Sequence, residues 1–442
     1  MRFSQLLEGV APVDRIDADP EIIALCVDSR DVTAGALFVA VPGYVTDGHQ
    51  YIAQALRSGA AALLLQRDRV DAAHLPKGPL ALVPDTRATL ASVAAAFYGH
   101  PASHLRVIGV TGTDGKTTTC YLINAVLEEA GSETGLIGTV DFKIGGRWQQ
   151  NDTRLTTPAA PEVQSLLAAI RGARAGYVIL ESTSHGLELR RLDCCEYDVA
   201  VFTNLTTDHL DQHGTVAAYR AAKGRLFEML GEPSIKTGAR YAVLNRDDPD
   251  FEYFRDRAAA QVVSYGFSTA ADVRASDVEL GGDATRLKVC ATGVDFALEL
   301  PLPGLFNVSN ALAAITVGLR EGIGPATIAE ALSKFGGVPG RMERVDVGQP
   351  FGVIVDYAHT GEALRKVLDT LRPGVRGRII TVFGSAGERG GGTRRLHGRN
   401  GRGSAFGRPD VDHQRDDGDV TRRRTVRAGR LHGRARSTGR DW

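Results

Sequence analysis

A glycine-rich segment between an apolar run and a helix-like stretch constrains this chain more than any other feature. Residues 109–119 read Gly-Val-Thr-Gly-Thr-Asp-Gly-Lys-Thr-Thr-Thr, after the largely apolar residues 105–108 and before the helix-like residues 120–130. A strand, a turn and a helix N-terminus in this order direct backbone N–H groups and the helix dipole at an anion. Lys116 can then reach terminal phosphates, and the Thr117 hydroxyl can ligate Mg²⁺. The segment therefore predicts binding of a nucleoside triphosphate.

The segment departs from the general phosphate-binding pattern at one position. That pattern places a glycine five residues before Gly115, where this chain has Val110, and the supporting glycine is Gly112 instead. A surface turn can also carry Gly-Lys-Thr by chance. The flanking strand and helix and the three successive threonines favour a phosphate site over such a turn.

Short apolar runs alternate with helix-like segments along most of the chain. Runs of four to six residues without strict polar alternation are typical of a parallel sheet that is buried on both faces. The predicted class is α/β, with a central parallel sheet that carries the phosphate-binding loop. Strands are predicted at residues 36–41, 61–65, 106–110, 177–181, 199–203, 241–244, 352–356 and 378–383. Helices are predicted at residues 52–58, 120–130, 161–171, 215–230, 307–321 and 360–371.

A chain of 442 residues is too long for one core, so two or three domains are expected. Hinges are predicted near residues 100–105 and 335–340, where domain closure would align the substrates. The predicted segments are residues 1–100, residues 101–336 with the phosphate-binding loop, residues 337–389 with one βαβ unit, and a tail at residues 390–442.

Residues 390–442 break the α/β pattern. They contain 14 Arg, 11 Gly and 6 Asp but neither Lys nor Glu, so 14 Arg against 6 Asp give a net charge of +8. This composition buries too little apolar area to offset the entropy of ordering. We interpret the segment either as a disordered basic tail or as the product of a frameshift, and favour the frameshift because the βαβ fold of the third domain stops partway through that domain. An RNA-binding tail is less favoured, since only Phe406 and Trp442 could stack on bases.

Bulk composition excludes several classes of protein. The net charge of zero gives no argument for a nucleic-acid or membrane partner. No apolar run is long enough to span a bilayer, and the first residues do not begin a signal peptide. Five scattered cysteines without metal-ligand spacing are typical of a reducing cytoplasm. We therefore expect a cytoplasmic protein that binds neither nucleic acid nor membrane. We also expect the chain to be a monomer.

Polar segments follow three predicted strands, at the sheet edge where α/β proteins bind ligands. Glu181 ends one strand and is a candidate Mg²⁺ ligand. Residues 208–213 hold two Asp and two His, which indicates a second cation site or phosphate contacts. Asp356 ends a third strand. Helix caps are the alternative for each segment; the ligand interpretation is favoured for the first two, and the two interpretations are even for Asp356. Lys223, taken alone, would be a solvated charge on a helix.

Together these segments closely resemble the Mur ligases of peptidoglycan synthesis, in particular those that add the third amino acid to UDP-N-acetylmuramoyl-L-alanyl-D-glutamate. The matching motifs occur in the family's order over about residues 25–389. They are Asp28-Ser29-Arg30, Thr111 through Thr118, Thr156-Thr157-Pro158, Glu181 through Gly186, Thr203 through Gly214, Ala221-Ala222-Lys223, Asn307 through Asn310, Gly340 through Glu343, and Asp356 through His359. The resemblance implies a three-domain Mur ligase architecture and amide formation through an acyl phosphate. The domains would be a UDP-substrate-binding domain (1–100), a central ATP-binding domain (101–336) and a truncated, Rossmann-like amino-acid-binding domain (337–389).

The resemblance also implies a role for each matching residue. The uridine end of the substrate would be held by Ser29 and residues 44–46, and the muramoyl-dipeptide by Thr156, Thr157, Thr183 and Arg191. ATP would contact Gly112, Thr113, Asp114, Gly115, Lys116, Thr117, Thr118, Asn307, Asn310, Arg341 and Asp356. Mg²⁺ would be held by Thr117, Glu181, His209 and a carbamylated Lys223. The catalytic residues would be Lys116, His209 and Lys223, and the contact to the incoming diamino acid would be Arg389.

Three departures from the family pattern bear on the substrates. The usual Asn before Thr156 is Leu155 here, and the usual Gln two residues before Arg191 is Leu189. The Asp-Asn-Pro-Arg-like motif that selects diaminopimelate does not follow Arg389. Diaminopimelate is the default acceptor by its commonness, with lysine or ornithine as alternatives. Another ATP-dependent amide ligase of the superfamily and an inactive nucleotide-binding remnant are the competing interpretations.

Overall fold

A parallel sheet and, after it along the chain, a larger and mostly parallel sheet form the framework of the protein. The structure is a computed structural model that describes residues 1–10, 13–14, 17–43, 46–153, 155–206, 213–281, 284–359, 361–375 and 377–383. These residues belong to the first of two contact units of the chain, Met1–Ser385. The second unit, Ala386–Trp442, lies outside the described residues, and so do Arg389 and the predicted tail.

The N-terminal sheet has four parallel strands in the order β1-β2-β3-β4. Its elements are α1 (Phe3–Leu6), β1 (Ala24–Cys26), β2 (Ala36–Val39), α2 (Ile52–Arg57), β3 (Ala62–Gln66), β4 (Leu80–Val83) and α3 (Thr86–Phe97). The two predicted strands and the predicted helix of this region are confirmed, with ends that differ by one or two residues. The Asp85 carboxylate accepts hydrogen bonds from the N–H groups of Arg87 and Ala88 and thereby caps α3.

The second sheet has eleven strands, in the order β15-β14-β13-β12-β11-β10-β5-β9-β6-β7-β8. The seven strands from β13 to β6 run parallel, and the flanking pairs are antiparallel. The strands are β5 (Arg106–Thr111), β6 (Thr134–Ile137), β7 (Asp141–Ile144), β8 (Arg147–Gln150), β9 (Tyr177–Glu181), β10 (Val199–Phe202), β11 (Tyr241–Asn245), β12 (Gln261–Gly266), β13 (Val273–Leu280), β14 (Thr285–Ala291) and β15 (Val294–Leu300). The four strands predicted between residues 106 and 244 are therefore confirmed. The chain leaves β5 in one direction and later returns on its other side, so β5 lies at the switch point where such sheets bind ligands.

Helices cover both faces of this sheet. They are α4 (Lys116–Glu129), α5 (Ala160–Gly172), α6 (Ser184–Glu188), α7 (Val216–Glu228), α8 (Phe251–Arg255), α9 (Leu305–Arg320) and α10 (Pro325–Ser333). Ile108 of β5 packs with α4, α9 and α10 in one core, and Val107 packs with α5 and α7 in another. Burial on both faces explains the continuous apolar runs. No helix among the described residues is long and apolar enough to cross a membrane.

The C-terminal part of the described chain corrects one prediction. Strands β16 (Glu343–Val345) and β17 (Val353–Val355) form an antiparallel pair, and α11 (Gly361–Leu371) follows as predicted. The predicted strand at residues 378–383 is wrong, because these residues pair with no strand among the described residues. Ile380, Val382 and Phe383 are 77%, 92% and 73% exposed. An apolar run forms a strand only when a neighbouring strand accepts its backbone hydrogen bonds, and the described residues offer none there.

A buried ionic cluster ties the amino ends of the central strands to the end of α9. The Glu321 carboxylate accepts hydrogen bonds from Arg106 Nε at 2.6 Å, Tyr241 OH at 2.7 Å and Tyr177 OH at 3.1 Å. Burial alone would raise the pKa of Glu321, but the hydrogen bonds from Arg106 and Tyr241 outweigh burial and hold that pKa below its ordinary value. The charged form of Glu321 therefore stabilises the fold.

We expect Glu321→Gln to lower the thermal midpoint at pH 7 by about 5 °C, because Arg106 then loses its nearer buried counter-ion and keeps only Asp198 at 3.8 Å among the described residues. A carboxyl group with a lowered pKa stabilises the fold above its unfolded-state pKa, and that stability is lost as the pH falls through the folded-state pKa. The difference between parent and variant should therefore shrink below about pH 4. Scanning calorimetry of parent and variant at several pH values measures the lowering of the midpoint and its dependence on pH. Glu330→Gln is the control, because Glu330 is exposed and pairs with Lys334 on the surface.

Candidate active site

The phosphate-binding loop adopts a backbone that only glycine permits at two positions. Gly112 has φ of 150° and Gly115 has φ of 83°, just before α4 begins at Lys116. A Cβ atom at Gly112 would lie 1.9 Å from Thr203 Oγ1, and one at Gly115 would lie 2.2 Å from Asn310 Oδ1. The supporting glycine at 112 rather than 110 thus lets the loop pack directly against the end of β10.

Lys116 folds back over this loop. Its Nζ donates hydrogen bonds to the carbonyl oxygens of Gly112 at 3.1 Å and Thr113 at 2.8 Å. Thr117 and Thr118 follow on the first turn of α4, so the helix N-terminus faces the same space. The arrangement collects a cation, a hydroxyl group and backbone N–H groups at the carboxyl end of β5, as an anion site requires.

The segment after β10 clamps the loop. Asn204 Oδ1 accepts a hydrogen bond from Asp114 N at 3.0 Å, and its Nδ2 donates to Asp114 O at 3.0 Å. Thr203 Oγ1 donates to the same carbonyl at 2.7 Å. The hydroxyl groups of Thr113 and Tyr219 lie 3.2 Å apart, which links the loop to α7. Sequence reasoning noted Thr203 and Asn204 as family motif residues but did not foresee the clamp, which depends on the pairing of β5 with β10.

Glu181 lies beside Thr117 in a buried pocket. The Thr117 hydroxyl lies 3.0 and 3.1 Å from the two Glu181 carboxylate oxygens, and the Glu181 side chain also accepts from Thr139 N at 3.0 Å and Thr139 Oγ1 at 2.9 Å. Glu181 is 3% exposed and forms no ion pair with any described residue. A buried carboxylate without a cationic partner is costly. A carboxylate and a hydroxyl group are hard oxygen donors, so this pair fits Mg²⁺ that is also bound by phosphate and water.

The remaining predicted metal ligands differ in what the structure reveals. Lys223 of α7 is 1% exposed, and its Nζ donates to Gly112 O at 2.6 Å and lies 4.3 Å from the Tyr219 ring centroid. Lys223 is therefore at the phosphate-binding loop, not on a solvated helix face. His209 lies outside the described residues. Among the described residues, no three His, Cys, Asp or Glu side chains form a metal cluster.

The predicted dipeptide-binding residues form one continuous group next to Glu181. The hydroxyl groups of Thr157 and Thr183 lie 2.9 Å apart, and Thr157 Oγ1 donates to the Glu181 backbone oxygen at 3.0 Å. Arg191 Nη1 donates to Thr157 O at 2.9 Å. The hydroxyl groups of Thr156 and Thr139 lie 3.0 Å apart. The group therefore adjoins the Thr117–Glu181 pair through shared contacts.

Residues from beyond the central strands also reach the loop. Asn310 of α9 accepts from Thr119 Oγ1 at 3.4 Å and donates to Asn307 Oδ1 at 3.4 Å.

Arg341 Nη2 lies 3.4 Å from Thr117 Oγ1, and its guanidinium group stacks over the Tyr357 ring. The Asp356 carboxylate accepts hydrogen bonds from the N–H groups of Met342 and Ala358. It thereby joins the residue before β16 to the segment after β17. One further contact was missed by sequence reasoning, because it joins distant segments: Lys366 Nζ of α11 lies 3.1 Å from Asp114 Oδ2.

Ser29 belongs to a separate region, at the carboxyl edge of the N-terminal sheet. It is 5% exposed and follows β1. The hydrogen bonds from Arg30 lower the pKa of neighbouring Asp28 to about 2. The same edge has a cavity of about 410 Å³ that is lined by Pro42, Gly43, Gln66, Arg69, Pro84, Asp85 and Arg87. Residues 44 and 45, predicted beside the uridine, lie outside the described residues, as does Arg389.

Family models match most of the chain. The model of the Mur ligase family, catalytic domain, matches residues 21–108. The Mur ligase middle domain matches residues 110–318, and the Mur ligase, glutamate ligase domain, matches residues 340–410.

Similar proteins carry related names. The UDP-N-acetylmuramyl-tripeptide synthetase of Roseiflexus sp. (strain RS-1) is 48% identical over 407 residues, which are 90% of this chain and 80% of the relative. The UDP-N-acetylmuramoyl-L-alanyl-D-glutamate--2,6-diaminopimelate ligase of Geobacillus thermodenitrificans (strain NG80-2) is 43% identical over 84% of this chain and 74% of the relative. A solved structure of a ligase with the same name superposes with a TM-score of 0.71 at 30% identity, covering 88% of this chain and 78% of the other. The MurF ligase from Thermotoga maritima, solved with ADP, shares the fold, with a TM-score of 0.57 at 22% identity over 79% of this chain and 74% of the other.

Proposed function

We propose that this chain, which belongs to the Mur ligase family, is an ATP-dependent ligase that adds a diamino acid to UDP-N-acetylmuramoyl-L-alanyl-D-glutamate in peptidoglycan synthesis. One observation carries the proposal. The phosphate-binding loop, the Thr117–Glu181 pair and the Thr157–Thr183–Arg191 group occupy adjacent strand ends and share hydrogen bonds. A carboxylate substrate held by the second group would therefore lie beside the terminal phosphate of ATP held by the first. The names of the relatives support the same reaction.

The reaction follows from this adjacency. A carboxylate oxygen of the substrate bonds to the γ-phosphorus in line with the β–γ bridge, that bridge breaks, and ADP leaves as an acyl phosphate forms. The amine of the second substrate then bonds to the acyl carbon, loses a proton and expels phosphate. Lys116 and the N-terminus of α4 stabilise the negative charge of the transferring phosphoryl group. The threonine group and Arg191 orient the substrate, and such positioning supplies most of the rate enhancement.

We propose that Thr117, Glu181, His209 and a carbamylated Lys223 hold Mg²⁺. Mg²⁺ would neutralise charge on the phosphate oxygens when it is bound. Carbamylation joins the Lys223 Nζ to the carbon of CO₂ with loss of two protons from the ammonium group, which converts a cation into a carboxylate-like ligand. Nζ keeps one hydrogen in the carbamate, so the hydrogen bond to Gly112 O can persist.

We further propose that diaminopimelate is the acceptor, that Arg389 contacts it, and that Asn307, Asn310, Arg341 and Asp356 contact the nucleotide. Both substrates of the first step are nucleotides or nucleotide-linked sugars of the cell interior, so we place the reaction in the cytoplasm. We propose that the chain acts as a monomer, without nucleic acid or membrane partners.

A two-part assay tests the proposal. With ATP and the UDP-muramoyl-dipeptide, the chain should release phosphate when diaminopimelate is added, and more slowly or not at all with lysine or ornithine. Hydroxylamine in place of the amino acid should capture the acyl phosphate as a hydroxamate, which separates activation from acceptor use. The control omits the dipeptide. ATP binding without hydroxamate or phosphate release with any acceptor would contradict the ligase and identify an inactive remnant.

A further inference from the structure

The loop before the substrate-binding threonines is organised by a residue to which neither the family resemblance nor the proposed mechanism assigns a role. Asn151 follows β8 and is 8% exposed. Its Nδ2 donates to Gly138 O at 2.8 Å and to Leu155 O at 2.9 Å. Its Oδ1 accepts from Thr153 N at 3.0 Å and Thr153 Oγ1 at 2.6 Å. Two carbonyl acceptors on one side and an N–H donor on the other define the orientation of this amide.

The Asn151 contacts lead directly to the predicted metal ligand. Asn151 N also donates to Val140 O at 2.9 Å, so Asn151 is hydrogen-bonded to both chain neighbours of Thr139, Gly138 and Val140. Thr139 donates its backbone N–H and its hydroxyl to Glu181 Oε2, at 3.0 and 2.9 Å. The position of Thr139 therefore sets the orientation of the Glu181 carboxylate, and Asn151 sets the position of Thr139.

The same side chain governs the start of the dipeptide-binding group. Leu155, whose carbonyl Asn151 holds, directly precedes Thr156, and the Thr156 hydroxyl lies 3.0 Å from that of Thr139. Leu155 is 41% exposed, and its side chain has no amide group that could make such contacts. An amide four residues earlier thus ties the two sides of the site together.

We propose that Asn151 is a positioning residue that acts through Thr139 to orient Glu181 toward Mg²⁺ and through Leu155 to place Thr156. The inference rests on the proposed function, since it assumes that Glu181 binds Mg²⁺. Residues that orient metal ligands by hydrogen bonds change metal affinity by about 10- to 100-fold when they are removed. Loss of the Asn151 side chain should therefore reduce the gain in nucleotide affinity that Mg²⁺ provides. The control below shows whether a similar loss of thermal midpoint has the same effect.

The experiment compares nucleotide binding with and without metal. Isothermal titration calorimetry of the full chain with a non-hydrolysable ATP analogue, in Mg²⁺ and in EDTA, gives the ratio of the two affinities. Asn151→Ala should lower this ratio by about tenfold and change the affinity in EDTA by less than about threefold. Asn124→Ala is the matched control, because Asn124 is 4% exposed and bonds Thr134 and Glu128 at the other end of β6. This control should keep the parent ratio at a similar loss of thermal midpoint.

Two further variants test whether Asn151 acts on Glu181 through Thr139. Thr139→Val keeps the shape of Thr139 but removes the hydroxyl group. As a single variant it should lower the ratio of the affinities in Mg²⁺ and in EDTA. If Asn151 acts through Thr139, the double variant should lose less than the product of the two single losses. Should Asn151→Ala fail to fold, Thr153→Val, which removes a hydroxyl group bonded to Asn151 and Leu155, should lower the ratio by about threefold.

The outcomes separate the inference from the proposed function. A parent chain that binds nucleotide tighter with Mg²⁺, together with Asn151→Ala and Thr153→Val variants of unchanged ratio, would overturn the inference alone. Strictly multiplicative losses would overturn the route through Thr139. A parent chain that binds no nucleotide, or binds it without regard to Mg²⁺, would overturn the proposed metal site and the inference with it.

Discussion

Replacement of Lys116 by alanine is expected to lower the kcat of ATP-dependent phosphate release by about 10³-fold, or about 4 kcal/mol of transition-state free energy. The Lys116 ammonium group is held over the phosphate-binding loop by the carbonyl groups of Gly112 and Thr113. In the proposed reaction it would face the transferring phosphoryl group, whose negative charge spreads over its outer oxygens. A positive charge that is already in place there needs no reorganisation during the reaction.

The Lys116→Ala variant should keep its fold, because the lysine side chain is half-buried and, among the described residues, its hydrogen bonds go to loop carbonyl groups. Its thermal midpoint should stay within about 3 °C of that of the parent. Steady-state phosphate release and hydroxamate formation give kcat for both proteins. Lys334→Ala is the control, since Lys334 is exposed and pairs with Glu330 and Glu129 on the surface. A Lys116→Ala variant with more than about a tenth of the parent kcat would contradict the proposed role.

Most of the central fold could be predicted because its strands are buried on both faces. The apolar runs that became β5, β9, β10 and β11 stand between turn residues, and burial of both faces makes such runs continuous. The run at 378–383 has the same composition but failed to form a strand. What distinguishes it is the neighbour that a strand needs, and neighbours are a property of the folded chain rather than of the run.

The candidate site was predictable to the extent that it depends on strand ends. Parallel strands end at one edge, so Thr117 after β5 and Glu181 at the end of β9 were expected to meet, and their oxygens lie about 3 Å apart. The roles of Asn204, Thr139 and Lys366 could not be predicted in this way. Each contacts a backbone or side-chain group that is distant in sequence, and no local pattern encodes that partner.

Lys223 shows where the residues alone pointed the wrong way. A lysine on a helix is usually solvated, and only the family resemblance singled it out. The structure buries it against Gly112 O and the Tyr219 ring. Removing a charged amine from water is costly unless the amine is paired or hydrogen-bonded, and Lys223 Nζ has Gly112 O as an acceptor. The position of Lys223, at the loop that carries the phosphate site, is consistent with the proposed carbamate.

We expect Lys223→Arg to lower kcat by about 10²-fold, or about 2.7 kcal/mol, although arginine keeps the positive charge. Arginine cannot form a stable carbamate with CO₂, so the proposed oxygen ligand is lost whether or not the hydrogen bond to Gly112 survives. Lys223→Ala should lose at least as much activity, and acetate, which can occupy the space left by the side chain, should restore part of it. Acetate should not help Lys223→Arg, because the arginine side chain still fills that space.

Carbon-13 spectroscopy gives a readout that does not depend on turnover. After incubation with ¹³CO₂, the parent chain should show a carbamate signal that Lys223→Arg lacks, while Lys236→Arg keeps it. Lys236 is the matched control because its side chain is only 9% exposed, but pairs with Asp198 at the other end of the sheet. If the only role of Lys223 were its hydrogen bond to Gly112 O, arginine would preserve most of the activity and the parent would show no carbamate signal. Those two results together would exclude the carbamate and leave Glu181 and Thr117 as the metal ligands that the described residues supply.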